Sequence, residues 1–263
     1  MAHVTIETGS NVLRMNTSIH VIYPLESQTP PSSTLYLLHG AGDNASTWQR
    51  LTTIEQYAQR HNCTVIMPEA NRSYYTDMAY GLDYFTFITE ELPDLCSKLL
   101  QLNVEPEHTY IAGLSMGGYG ALKCALTYPE RYAKAVSLSG VTDMQRRLRD
   151  PDMPQGMVRE MQAVFGMDLL VKPEQDLYAL AAKRMETGSL MPSILCCCGS
   201  EDPFIEMNRA FAAYMNAAPS SGFHFHYVED SGTHDWVFWE KHLRTAFDFL
   251  FNNKKRTERG NAM

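Results

Sequence analysis

The chain has 263 residues, of which 44% are hydrophobic and 20% charged, and a formal net charge of -8. Its length suits a single open α/β domain with a sizeable core, and no stretch approaches the ~18 consecutive apolar residues of a membrane span. The acidic balance repels phosphate backbones and anionic lipid, so neither nucleic acid nor a membrane surface is an expected partner.

The first ten residues, MAHVTIETGS, carry neither a basic stretch nor the apolar run of a secretory signal, so the cytoplasm is the expected location. VTIE and Val12 to Tyr23 alternate as half-exposed strands should, which predicts an antiparallel hairpin at one sheet edge. After the QTPPSS link, short continuous apolar runs at Thr34 to Leu38, Thr64 to Met67, Thr109 to Ala112, Ala135 to Leu138 and Ile194 to Cys197 read as strands buried on both faces. Between them, segments of helical period run from Thr47 to Arg60, Tyr84 to Leu100, Met116 to Tyr128 and Phe204 to Ala217, with a last one from His234 to Phe251. Alternating strands and helices predict a mostly parallel sheet with helices on both faces, and one domain over 1–263.

One connection is far too long for a simple loop. Val141 to Pro192 interposes about fifty residues where roughly two to six are usual, and it holds seven of the 15 methionines, at 144, 153, 157, 161, 167, 185 and 191. It reads as a cap-like insertion whose methionines either fill core gaps or line a pocket. Lys254, Lys255, Arg256 and Arg259 read as part of a flexible, solvated tail over 252–263. The six cysteines, at 63, 96, 124 and 196 to 198, show no zinc-like spacing and read as small buried hydrophobes in a reducing compartment. No metal or other cofactor is expected.

Residues 109 to 120 read TYIAGLSMGGYG, so Gly113, Ser115 and Gly117 form G-x-S-x-G between a strand and a helix. The pattern alone arises by chance in about one such chain in ten, but the strand-turn-helix setting makes it a nucleophile turn too tight for side chains beside the serine. The helix from Met116 aims free N–H groups at the site.

A serine hydroxyl needs a base. His234, in GTHDWVFW, sits on a glycine-marked loop before the final helix. His3, His20, His61 and His108 read as surface groups, while His224, His226 and His242 are explained by packing or solvent. The orienting acid is expected between serine and histidine in chain order, at a strand end. Asp202 in CCCGSEDPF fits, 87 residues after Ser115 and 32 before His234; Glu201 and Asp143 are the alternatives. The loop in LYLLHGAGD supplies the other half of an oxyanion hole, giving Ala41 and Met116 as backbone donors. G-A-G here lacks the third glycine of a dinucleotide site.

With LLHGAGDNASTW, VIMPEANRSYYTDMAYGLDYFTFITEELP, IAGLSMGGYGALK, GSEDPF and THDWVFWE in place, the chain resembles, from roughly Leu35 to Trp239, the tributyrin-esterase branch of the esterase D-like putative esterases. These are relatives of S-formylglutathione hydrolases and mycolyltransferases within the α/β-hydrolase superfamily. The resemblance implies a cofactor-free serine carboxylesterase favouring short acyl chains, with nucleophile, acid and base on Ser115, Asp202 and His234 and the second oxyanion donor on Ala41. Acetylated or feruloylated plant carbohydrate is among the substrates it leaves open, and a thioesterase of S-formylglutathione hydrolase type is the alternative. One departure is HGAG, where many relatives carry a bulkier residue beside the glycine, which bears on the width of the pocket mouth. Tyr75 and Trp236 are expected to line the pocket or to pack beneath it. The expected partner is a small ester, and a homo-oligomer is left open.

Overall fold

The computed structural model describes residues 1–187, 191–217 and 224–251; the basic tail cluster and part of the 141–192 insertion lie outside them. Eight strands form one sheet in the order β1-β2-β4-β3-β5-β6-β7-β8. β1 (Ala2–Ser10) and β2 (Met15–Tyr23) make the expected antiparallel hairpin, and β2 pairs antiparallel with β4 (Cys63–Pro68). The remaining strands, β3 (Ser33–Leu38), β5 (Thr109–Leu114), β6 (Lys134–Leu138), β7 (Ser193–Gly199) and β8 (Phe225–Asp230), run parallel.

The continuous apolar runs are buried on both sides because successive side chains point to opposite faces. Tyr36, Leu38, Ile66, Ile111 and Cys196 enter one apolar cluster, while Leu35, Leu37, Val65, Ala112 and Cys197 enter the other. On the second face lie α1 (Thr47–Leu51), α2 (Ile54–Arg60) and α10 (Trp236–Phe251), through Trp48, Ile54, Phe238 and Phe247. Each such fully buried side chain stabilises the fold by about 1.5–3 kcal/mol. On the first face, α3 (Tyr84–Thr86) runs through a π-turn (Phe87–Glu91) into α4 (Leu92–Leu99), followed in the chain by α5 (Met116–Thr127). The insertion between β6 and β7 supplies α6 (Met144–Leu148), α7 (Gln155–Phe165) and α8 (Leu177–Thr187) to the same face, and α9 (Ile205–Ala217) completes it.

Two expected helices are not continuous. Thr47 to Arg60 breaks at Thr52, whose backbone is extended and whose hydroxyl donates to the Trp48 carbonyl at 2.5 Å, diverting an acceptor of the first helix's last turn. Tyr84 to Leu100 is divided by the π-turn. All six cysteines are free and buried, and burial pushes the thiols of Cys63, Cys96, Cys124 and Cys197 up to about 12, which keeps them protonated and unreactive. Among the described residues no helix is long and apolar enough to cross a membrane.

Helix α5 is buried from Met116 to Leu126, and Lys123 lies inside it. Its Nζ donates to the Tyr75 carbonyl and to Thr76 Oγ1, both at 3.1 Å, and stands 4.2 Å from the centre of the Phe85 ring. Burial lowers its pKa to about 8. Between about pH 8 and the unfolded value near 10.4 the unfolded chain therefore holds a proton that the folded chain has released, so this residue makes stability rise with pH across that window. The stability difference between the native chain and Lys123→Met, measured by urea unfolding, is expected to shift toward the native chain from pH 8 to pH 10, by up to about 1.4 kcal/mol per pH unit. A flat difference would show that Lys123 titrates normally.

Candidate functional site

The G-x-S-x-G turn joins β5 to α5 with Ser115 at φ 53° and ψ −116°, a conformation L residues rarely adopt. The neighbours explain the glycines. A Cβ on Gly113 would lie 2.3 Å from the Gly117 carbonyl oxygen, and one on Gly117 would lie 2.3 Å from that of Leu38. The strained turn is held by Ser115 N–H donating to the Leu138 carbonyl at 2.8 Å.

His234 enters from the loop between β8 and α10. Its Nε2 is 3.0 Å from Ser115 Oγ and its Nδ1 is 2.8 Å from Asp202 Oδ2. Asp202 follows β7, and its carboxylate is fully buried. The other oxygen, Oδ1, accepts from Phe204 N–H at 2.8 Å. A buried carboxylate needs such partners, and with Asp202 accepting at Nδ1 the imidazole presents Nε2 as acceptor to the serine. The alternatives for the acid are placed elsewhere: Glu201 is exposed, and Asp143 caps α6 by accepting from Arg146 N–H at 2.8 Å. Two edge-on aromatic contacts flank His234, from Phe204 at 4.9 Å and Trp239 at 5.0 Å between ring centres.

The Gly40–Asp43 loop lies against Ser115, close enough that a Cβ on Gly40 would stand 3.7 Å from that of the serine. Asp43 braces the loop: its N–H donates to the Gly40 carbonyl and its Oδ2 accepts from Gly40 N–H. Among the described residues neither Ala41 N–H nor Met116 N–H has a hydrogen-bond acceptor, and Ala41 lies on the wall of the adjoining cleft.

These residues open onto a cleft of about 460 Å³ whose wall includes Ser115, His234, Trp236, Trp239, Tyr74 and, from the insertion, Met157 and Arg147. Trp236 is on the wall, as one of its two expected roles has it. Tyr75 is not: it is fully buried, and its hydroxyl donates to the His39 carbonyl at 2.9 Å. Gly120 makes room for it, since a Cβ there would meet the Tyr75 ring at 2.5 Å. The insertion's methionines divide between both expected roles, with Met144, Met153 and Met161 buried in the core and Met157 on the cleft. Among the described residues no three His, Cys, Asp or Glu side chains converge as a metal would require.

Sequence reasoning passed over His39. It is buried, its Nε2 is 3.0 Å from Ala70 N and 3.4 Å from Glu69 Oε1, and its Nδ1 is 2.8 Å from the Gly40 carbonyl oxygen. It thereby ties the loop beside Ser115 to the segment that follows β4. The available signal was its position, a histidine directly after the run LYLL and just before Gly40 and Gly42. Tyr75→Phe removes the donor beneath this loop and is expected to lower stability by about 1–3 kcal/mol in urea unfolding; an unchanged midpoint would show that the His39 carbonyl finds another donor.

The model of the putative esterase family matches residues 10–250. An acetyl esterase of Caldicellulosiruptor saccharolyticus is 30% identical over 264 residues, covering 95% of this chain and 98% of its own. Among solved structures, the substrate-bound fluorophosphonate-binding serine hydrolase F of Staphylococcus aureus is similar at a TM-score of 0.86 and 31% identity, covering 96% of this chain and 99% of that one. An S-formylglutathione hydrolase of the same organism is similar at 0.82 and 31%, covering 95% and 99%.

Proposed function

The chain belongs to the putative esterase family, and we propose that it is a serine carboxylic-ester hydrolase acting on short-chain acyl esters through an acyl-enzyme. The observation that carries this reading is the unbroken chain from Ser115 Oγ through His234 to the buried Asp202. His234 Nε2 takes the hydroxyl proton as Oγ attacks the ester carbonyl. The resulting oxyanion is met by the N–H groups of Ala41 and Met116 at the positive end of α5. Asp202 holds the imidazole in the required tautomer and stabilises its cation, which then protonates the departing alcohol. Water enters on the same base and releases the acid.

The two unengaged N–H groups matter because charge develops on the carbonyl oxygen only as the reaction proceeds, so donors already in place cost no reorganisation at that moment. A short acyl group is supported by the cleft's modest volume and by the acetyl esterase relative. Ser115→Ala is expected to lower kcat/KM for p-nitrophenyl acetate by about a thousandfold or more. Near-native turnover by that variant would refute the assignment.

One observation favours thioester hydrolysis as a second reading: a neighbour at 31% identity is an S-formylglutathione hydrolase. It needs the same three side chains. The ester reading requires a higher kcat/KM for butyrate esters than for S-formylglutathione, and the reverse order would install the thioester in its place.

A further inference from the structure

Past Phe204, the cleft adjoins a basin of about 730 Å³ that shares Phe204 and Arg147 with it. The ionisable groups on its wall are Arg146, Arg147, Arg149, Asp143 and Asp150. Their engagements differ. Arg147 Nη1 is paired with Asp150 at 2.7 Å and Nη2 contacts Met157 Sδ, while its Nε is sequestered from solvent without a hydrogen-bond partner. Asp143 is committed to the α6 backbone. Among the described residues the Arg146 and Arg149 guanidiniums make no ion pair or hydrogen bond, although both border the basin. By contrast Arg72, the other arginine of the catalytic cleft, is committed to Glu160 and the Ala41 carbonyl.

The basin's wall thus carries three cations against two anions, with two of its cations unpaired, in a chain whose overall charge is -8. At physiological salt, exposed charges more than about 8 Å away are largely screened, so a ligand in the basin is governed by this wall and not by the acidic remainder. A single surplus positive charge suits a monoanion, and guanidiniums match a carboxylate in geometry. Phe204, shared by both spaces, stands edge-on to His234, so the basin adjoins the cleft on the side where that ring flanks the imidazole, the group that protonates the leaving oxygen in the esterase reading.

We propose that the basin is a leaving-group subsite for an alcohol that carries a carboxylate, held by Arg146 and Arg149 with Arg147 at the junction. This deepens, and rests on, the esterase reading above. The test compares 3-acetoxybenzoate with its neutral methyl ester, in the native chain and in an Arg146→Gln/Arg149→Gln variant. The ratio of kcat/KM for the carboxylate ester to that for the methyl ester is expected to fall about tenfold in the variant, mainly through KM, and added salt should lower the same ratio in the native chain. An unchanged ratio overturns the subsite. Monophenyl succinate, whose carboxylate lies on the acyl half, decides the side: if it loses activity in the variant as 3-acetoxybenzoate was to do, the leaving-group assignment falls. A binding arm separates this proposal from the chemistry. Ser115→Ala should bind 3-hydroxybenzoate, and adding both arginine substitutions should weaken that binding about tenfold. If no ester is turned over by the native chain but this difference holds, the esterase reading fails and the carboxylate site stands. Equal binding by both variants overturns the site.

Discussion

Gly117 has no room for a side chain, because the carbonyl oxygens of Leu38 and His39 would lie 2.3 and 2.7 Å from its Cβ. This contact presses the first turn of α5 against the end of β3. The serine turn and the loop that follows β3 are thereby one rigid unit, although more than seventy residues separate them in the chain. Ser115 is held at positive φ within that unit at a cost on the order of 1–2 kcal/mol. What the strain secures is orientation: Oγ stands at the carboxyl rim of the sheet, within 3.0 Å of His234 Nε2.

Asp202 and His234 reach this unit by an equivalent device at the same rim of the sheet. A Cβ on Gly199 would lie 2.3 Å from the Gly232 carbonyl, and Glu201 N–H donates to that same oxygen at 2.9 Å. The loop after β7, with Asp202, and the loop after β8, with His234, are therefore fastened to each other before either meets the serine. With Asp202 fully buried and both its oxygens engaged, the imidazole has one low-energy orientation, and that orientation points Nε2 at Ser115.

Much of this arrangement was legible in the residues. The sheet, its hairpin edge and the flanking helices follow from period and punctuation, because strands buried on both faces must be continuously apolar and the hairpin must alternate. Ser115, Asp202 and His234 were legible because each stands at a strand end beside a glycine or proline that marks a turn. The interior supports were not. Tyr75 reads from sequence as either a pocket aromatic or simple packing, and the fold makes it packing: residues 74 and 75 both adopt positive φ, which no composition rule assigns to tyrosine, and the ring lies fully buried. His39 escaped notice for a related reason, since its partners come from Ala70 and Gly40 and only the folded chain brings the first of them close. The break at Thr52 and the π-turn at 87–91 likewise depend on local hydrogen-bond competition that hydrophobic periodicity does not register.

The strained segment around Tyr74 and Tyr75 also explains how the insertion comes to shape the cleft. From below, Lys123 donates to the Tyr75 carbonyl and to Thr76. From above, Ala79 and Tyr80 donate through their backbone N–H groups to the Val164 and Ala163 carbonyls at the end of α7, at 3.0 and 2.9 Å. The Arg72–Glu160 pair joins the same two elements but is nearly half exposed on both sides, so it contributes at most about 1 kcal/mol. The backbone bonds, together with buried Met161 and Phe165, outweigh it. Helix α7 is consequently fixed to the segment that carries Arg72 and Tyr74. Met157, on one face of that helix, meets the cleft at a position set by packing on the core, so the shape of the cleft depends on how the insertion docks as well as on the loops at the sheet's rim.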